Sequence, residues 1–305
     1  MEGMVIMKKN ILLLGTSGFI GRNLKEFLNK QKDTYEIYAP TSNEFDISDE
    51  EKVKENLTKH YYDVIIHAAV YNPRADYKKD VSKELDKNLR MFFNFEKYQN
   101  LYGKMIYFGS GAEFDKCSNI KMVNEDDLGN GIPNTDYGFY KYIINKSIQN
   151  SENIYNLRIF GLFGKYEDWA KTFISGACCK ALKNLPITIR ENVYFDYLYI
   201  EDFCKIVEWF IDHDIKNKNY NISSGKTIDL LTIANIVKNI SGKDIPIYMC
   251  KEGVGKEYSA NNKRMLKEME NFYFTPIEVA INELYVWYKK QEKDIDIYPL
   301  IYQGI

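Results

Sequence analysis

Asn10-Ile11-Leu12-Leu13-Leu14-Gly15-Thr16-Ser17-Gly18-Phe19-Ile20-Gly21-Arg22 is the stretch that decides the fold. Its opening apolar run predicts a strand buried on both faces. From Phe19 the apolar residues change period: Phe19, Ile20, Leu24, Phe27 and Leu28 share one face of a helix expected over Phe19–Lys30. Between strand and helix stand glycines spaced G-x-x-G-x-x-G. Gly15 suits a tight turn, Gly18 lets backbone approach a pyrophosphate, and Gly21 lets helix and strand pack closely. The helix N-terminus then offers unpaired N–H groups and a favourable dipole to phosphates. The pattern reads as a dinucleotide cradle, with Ser17, Phe19, Ile20 and Arg22 beside the glycines.

Working outward, apolar runs and helical patterns keep alternating. Strands are expected at Tyr35–Tyr38, Val64–Ala68, Met105–Phe108 and Tyr155–Ile159, with helices at Glu50–Lys59, Leu85–Gln99 and Tyr137–Asn150. This alternation predicts an α/β fold, a doubly wound parallel sheet covered on both faces. The later chain is less regular and reads as a smaller C-terminal α/β substrate lobe. Helices are expected at Trp169–Leu182, Glu201–Ile211 and Leu230–Ile240, and strands at Ile187–Arg190, Asp196–Ile200 and Ile245–Met249. Thr275-Pro276-Ile277-Glu278 predicts a capped helix start. The expected division is 1–165 and 166–305, the second lobe partly interleaved with the main sheet, which the strand near 196–200 is expected to rejoin.

The 305 residues are 45% hydrophobic and 28% charged, with formal net charge −2, which excludes a disordered chain and gives no basic footprint for nucleic acid. No apolar stretch approaches the roughly 20 residues of a membrane helix. The run Ile11–Leu14 is too short for a signal peptide. Met4 and Met7 could be alternative starts. Cys117, Cys178, Cys179, Cys204 and Cys250 form neither a disulfide framework nor a zinc pattern, and His60, His67 and His213 are too scattered for a metal. A reducing cytoplasm is the simplest compartment.

Dinucleotide choice is set near the end of the second strand. Tyr38-Ala39-Pro40-Thr41-Ser42-Asn43 holds no acid before Glu44, and Arg22 could pair with a 2′-phosphate, so NADP is expected and NAD remains possible. Tyr137-Gly138-Phe139-Tyr140-Lys141 opens a helix with Tyr137 and Lys141 on one face. A neighbouring ammonium favours the phenolate, which makes Tyr137 a usable proton carrier. Ser110, ending the preceding strand in Phe108-Gly109-Ser110-Gly111, lies where a hydroxyl could meet a substrate carbonyl.

Together the glycine turn, His67-Ala68-Ala69, Ser110, and Tyr137 with Lys141 resemble the extended short-chain dehydrogenase/reductase family, the nucleotide-sugar epimerases, dehydratases and 4-keto reductases. The resemblance covers most of the chain. It implies Ser110, Tyr137 and Lys141 as catalytic triad. It further implies Asp46 and Ile47 at the adenine, and Ala68 and Ala69 beside the ribose and phosphates. Ser42–Asp49 is similar to the NADPH-using reductases of 4-keto-6-deoxy sugars. The expected function is NAD(P)H-dependent reduction of a 4-keto nucleotide sugar for surface-polysaccharide synthesis, by a cytoplasmic homodimer. The alternatives are a 4-epimerase with tightly held NAD and a non-catalytic dinucleotide sensor.

The chain departs from the family in places. Dehydratases carry an acidic pair where Gly111 and Ala112 stand, so elimination is disfavoured. Gly161 stands for a frequent asparagine and Phe195 for a pyrophosphate-binding arginine. Glu113, Lys171 and Arg190 are the substrate-binding candidates, with Lys256 a further source of charge.

Overall fold

The computed structural model describes residues 8–73, 76, 78–115 and 119–301. Cys117 and the possible starts Met4 and Met7 lie outside the described residues. Two compact units divide the chain. The first holds the described residues up to Cys117, then Glu125–Ile159 and Cys204–Tyr220. The second holds the described residues within 118–124, then Phe160–Phe203 and the described residues from Asn221 on. The units therefore interleave along the sequence.

The chain runs β1 (Lys9–Leu14), α1 (Phe19–Leu28), β2 (Tyr35–Tyr38), α2 (Glu50–Lys59), β3 (Val64–His67), α3 (Glu84–Glu96), β4 (Lys104–Ser110), β5 (Ile120–Val123), α4 (Asp136–Ile148) and β6 (Ile154–Ile159). It continues with β7 (Gly161–Phe163), α5 (Phe173–Leu182), β8 (Ile187–Asn192), β9 (Tyr194–Tyr199), α6 (Ile200–Asp212), β10 (Asn219–Ile222), β11 (Thr227–Asp229), α7 (Leu230–Ser241), β12 (Ile247–Val254), β13 (Tyr258–Ala260), α8 (Lys263–Glu268) and α9 (Ile277–Lys290).

The main sheet has the order β10-β6-β4-β3-β1-β2. The pairs from β6 to β2 are parallel, with Leu14 opposite His67, His67 opposite Tyr107, and Ser110 opposite Ile159. Ile11–Leu14 and Val64–Ile66 are wholly or almost wholly buried, as strands sandwiched between helix layers must be. Local chemistry starts the helices. Asp49 accepts the amides of Glu51 and Lys52 at the head of α2, and Thr135 accepts the amide of Gly138 at the head of α4.

In the second unit, β11, β9, β13 and β5 lie side by side, and β7 also pairs with β9; β8 and β12 form a separate parallel pair. The strand expected near 196–200 therefore does not rejoin the main sheet. Asp196 holds β9 in place, accepting from Ser224 N (2.8 Å), Ser224 Oγ (2.6 Å) and Gly225 N (3.0 Å). The place beside β6 goes to β10. Its sequence, Asn-Tyr-Asn-Ile, lacks an apolar run, yet Asn219 and Asn221 are buried and hydrogen-bonded. Two helix starts also differ from expectation. α5 begins at Phe173, because Lys171 and Thr172 turn back onto the Asp168 carbonyl. Thr275 does not cap α9; its amide and hydroxyl bind Asp202 at 2.7 and 2.9 Å, and Pro276 is the cap residue.

Two outcomes follow from buried polar groups. Asp196→Ala strands the Ser224 and Gly225 donors and is expected to cost about 2–4 kcal/mol, read as a lowered urea midpoint; an unchanged midpoint would contradict the anchoring role. His67 is 2% exposed, and burial pushes its imidazole down to about 4. The unfolded chain takes up that proton near 6.5, so stability falls as pH drops from 6.5 towards 4, by about 3 kcal/mol at the lower limit. Urea unfolding of His67→Gln should show a flatter acid slope than the parent across that window.

Candidate active site

In a parallel sheet of order β2-β1-β3-β4-β6, ligands sit beyond the carboxyl ends of the strands where the order reverses, here between β1 and β3. Gly15 leaves β1 at that point with φ +82°, a conformation side chains rarely adopt, and a Cβ there would lie 2.5 Å from the Ala68 carbonyl carbon. Ala68 is tied to β1 by its amide on Leu14 O (3.2 Å), and Ala69 follows. α1 then opens with no side-chain cap, so its first amides remain for a ligand. These residues fit a dinucleotide pyrophosphate. Phe19, Ile20 and Gly21 form the first turn, with Ser17 exposed before them.

Around this cradle, Arg22 is largely exposed and lies 3.9 Å from Glu26. Glu44, the first acid after β2, is turned onto its own loop, accepting the amide (2.7 Å) and hydroxyl (2.9 Å) of Thr41. Those bonds hold its carboxyl below the usual range. Asp46 likewise accepts from the hydroxyl and amide of Ser48, and its carboxyl is lowered chiefly by that hydroxyl. Ile47 is buried, and its carbonyl accepts from Asn94 (3.0 Å).

Ser110 is the last residue of β4 and caps the tight turn Gly111–Glu113. Its Oγ accepts the Ala112 amide (3.2 Å), which fixes the oxygen and leaves the hydroxyl proton available to an acceptor. Tyr137 and Lys141 lie one turn apart on α4. Tyr137 is half-buried, its ring edge-on to Tyr140 at 5.5 Å. Lys141 is 3% exposed; its Nζ donates to Phe108 O on β4 and lies 4.4 Å from the centre of the Tyr107 ring. Burial pulls its ammonium down to about 7, against an opposing pull from Glu113. The candidate acid, hydroxyl and ammonium thus come from two neighbouring elements, α4 and β4.

Glu113 corrects an expectation. It is wholly buried and cannot meet a substrate from that position: it accepts the Ser110 amide (3.0 Å), pairs with Arg158 (2.8 Å) and accepts from Asn145 (2.6 Å). Lys171 and Arg190 belong to the second unit. Lys171 is 3.3 Å from Asp168, and Arg190 is exposed on β8. The Phe195 ring packs at a tilt against Tyr197 (5.4 Å) and Tyr258 (5.7 Å). The sequence reading missed Asn145, Asn156 and Arg158. The signal was present: a strand Ile-Tyr-Asn-Leu-Arg-Ile, buried on both faces, cannot carry an arginine without a partner. Among the described residues no cluster of metal-ligating side chains occurs.

Known proteins share this fold. A curated Escherichia coli dTDP-4-dehydro-6-deoxyglucose reductase is 23% identical over 283 residues, 81% of this chain and 88% of that protein. A GDP-L-fucose synthetase of Naegleria fowleri, solved with NADP, superposes with TM-score 0.80 at 18% identity, over 95% of this chain and 97% of that one. The GDP-mannoheptose C4 reductase of Campylobacter jejuni, also with NADP bound, gives TM-score 0.75 at 18% identity, over 92% and 98%. Residues 11–223 match the NAD dependent epimerase/dehydratase family; the chain belongs to that family and is an NAD(P)-dependent oxidoreductase or epimerase with the extended short-chain dehydrogenase/reductase fold.

Proposed function

We propose that this protein reduces the 4-keto group of a nucleotide sugar, using NADPH. The observation that carries the reading is a fixed Ser110 hydroxyl at the end of β4, with α4, which bears Tyr137 and Lys141, packed on its turn and tied by Lys141 to Phe108 O, in the same sheet that carries the uncapped head of α1. Bound in the cradle, the nicotinamide dinucleotide supplies hydride. Tyr137 gives its phenolic proton to the carbonyl oxygen, and the Ser110 hydroxyl donates to that same oxygen as charge develops on it. Lys141, already fixed to Phe108 O, stabilises the phenolate left on Tyr137. Asp46 and Ile47 would flank the adenine, and Ala68 and Ala69 the ribose and phosphates.

NADPH is favoured over NADH because Glu44 is engaged with Thr41 and Arg22 is exposed at the cradle. The turn after β4 favours reduction over dehydration. Gly111 and Ala112 carry no acid, and the acid of Glu113 is sealed beneath Ser110. Lys171 and Arg190 are candidates for substrate phosphates. The names of the E. coli, Naegleria and Campylobacter relatives supply the substrate class. Action in the cytoplasm as a homodimer, in surface-polysaccharide precursor synthesis, completes the reading.

The test is NADPH oxidation against a panel of 4-keto-6-deoxy nucleotide sugars. Oxidation with at least one member is expected. Tyr137→Phe should lower kcat by about 10²-fold or more, the scale of a lost general acid, while NADPH affinity stays within several-fold. Tight dinucleotide binding without oxidation by any member would point to a 4-epimerase; undiminished activity in Tyr137→Phe would remove the assigned acid.

A further inference from the structure

Beneath the Ser110 turn lies a cluster of charged and amide side chains closed to water. Glu113 and Arg158 are both 0% exposed, and Arg158 Nε donates to Glu113 Oε2 at 2.8 Å. Glu113 Oε1 accepts the Ser110 amide at 3.0 Å. Asn145 Nδ2 donates to Glu113 Oε2 and to Asn219 Oδ1, each at 2.6 Å. Asn156 Nδ2 reaches both Glu113 oxygens, at 3.1 and 3.2 Å, and Asn219 Oδ1 at 3.1 Å. The guanidinium also lies 4.8 Å from the centre of the Phe114 ring.

One carboxylate thereby joins three elements. Ser110 begins its own turn, Asn145 lies one helical turn beyond Lys141 on α4, and Asn156 and Arg158 come from β6. The backbone is shaped to admit it. A Cβ at Gly109 would fall 2.1 Å from Glu113 Oε1 and 2.2 Å from Asn156 Oδ1. Sequestering a charge pair this completely is costly unless its remaining hydrogen bonds are met, as they are on Glu113.

We propose that Glu113 is a positioning residue, which fixes the Ser110 turn to α4 and β6 and, with Arg158, sets the charge that faces Lys141. The proposal rests on the catalytic reading of Ser110 and Lys141 above. The groups around Lys141 are Tyr107 on β4, His67 on β3, Tyr137 and Tyr140 on α4, and Glu113 after β4. Of these, Glu113 is the anion that favours the protonated ammonium, and Arg158 is the cation paired with that anion at 2.8 Å. Removing either partner should move Lys141, in opposite directions. Glu113→Gln leaves Arg158 and Lys141 as two cations, so Lys141 sheds its proton at lower pH. Arg158→Met leaves the carboxylate uncompensated, so Lys141 keeps its proton to higher pH.

The experiment measures the alkaline limb of kcat/KM for NADPH oxidation in Glu113→Gln, Arg158→Met and the charge-neutral double variant. The limb should move down by about half a pH unit or more in the first, up in the second, and back near the parent in the double. A second readout uses no cofactor or substrate: urea unfolding of the ligand-free protein from pH 6 to 10. Lys141 has its proton affinity lowered by folding, so its contribution to stability rises with pH above about 7. The lower edge of that rise should shift in the same opposite directions. If the parent reduces no panel member, the reductase reading fails while the unfolding series still tests the charge coupling. Shifts of one sign in both variants, or none in either, overturn the proposal. If one single variant does not fold, the other decides by its sign; if neither folds but the double does, the pair is only structural and the proposal falls.

Discussion

The ion pair between Glu113 and Arg158, with no access to water, is what the candidate site depends on. A lone charge at either position would be intolerable in this interior, so each requires the other. Satisfying the remaining carboxylate lone pairs then draws in the Ser110 amide and the Asn145 and Asn156 amides. Those bonds tie the end of β4 to α4 and β6, the elements that bear or brace Ser110, Tyr137 and Lys141. In the proposed site, the groups that hold Ser110, Tyr137 and Lys141 in place are ones sealed away from the reacting atoms.

The same economy governs the cradle. The carboxyl ends of β1 and β3 approach so closely that Gly15 has no room for a side chain, and its φ of +82° turns the chain into α1. That close approach fixes where the uncapped amides of α1 stand relative to β3. Gly109 plays the matching part at β4, where its missing side chain leaves room for the buried carboxylate. Each of these two strand ends is therefore set by a glycine whose side chain would collide, with backbone at Gly15 and with polar side chains at Gly109.

Much of this was legible in the sequence, for physical reasons. The central strands β1, β3 and β4 announced themselves as apolar runs, because strands covered on both faces have no polar face to alternate. The glycine spacing and the Tyr137–Lys141 interval carried their geometry locally. β10 was hidden, since Asn219 and Asn221 are buried polar residues whose partners come from distant segments. Asp196-Tyr197 read as a main-sheet strand because nothing local reveals that Asp196 is held by the Ser224–Gly225 loop. Glu113 looked like a substrate residue for the same reason: its partner Arg158 lies 45 positions away.

A nicotinamide cofactor, a phenolic acid and an oriented hydroxyl make one claim, that hydride passes from the dinucleotide to a sugar carbonyl. Reaction with NADPH carrying deuterium at C4 of the nicotinamide, followed by mass spectrometry of the sugar product, tests it most directly. Using the two C4-deuterated epimers in turn, the account predicts one deuterium on the product carbon from one epimer alone, with NADPH consumed in equal amount. Product formed without cofactor-derived label, or turnover without NADPH consumption, would contradict it.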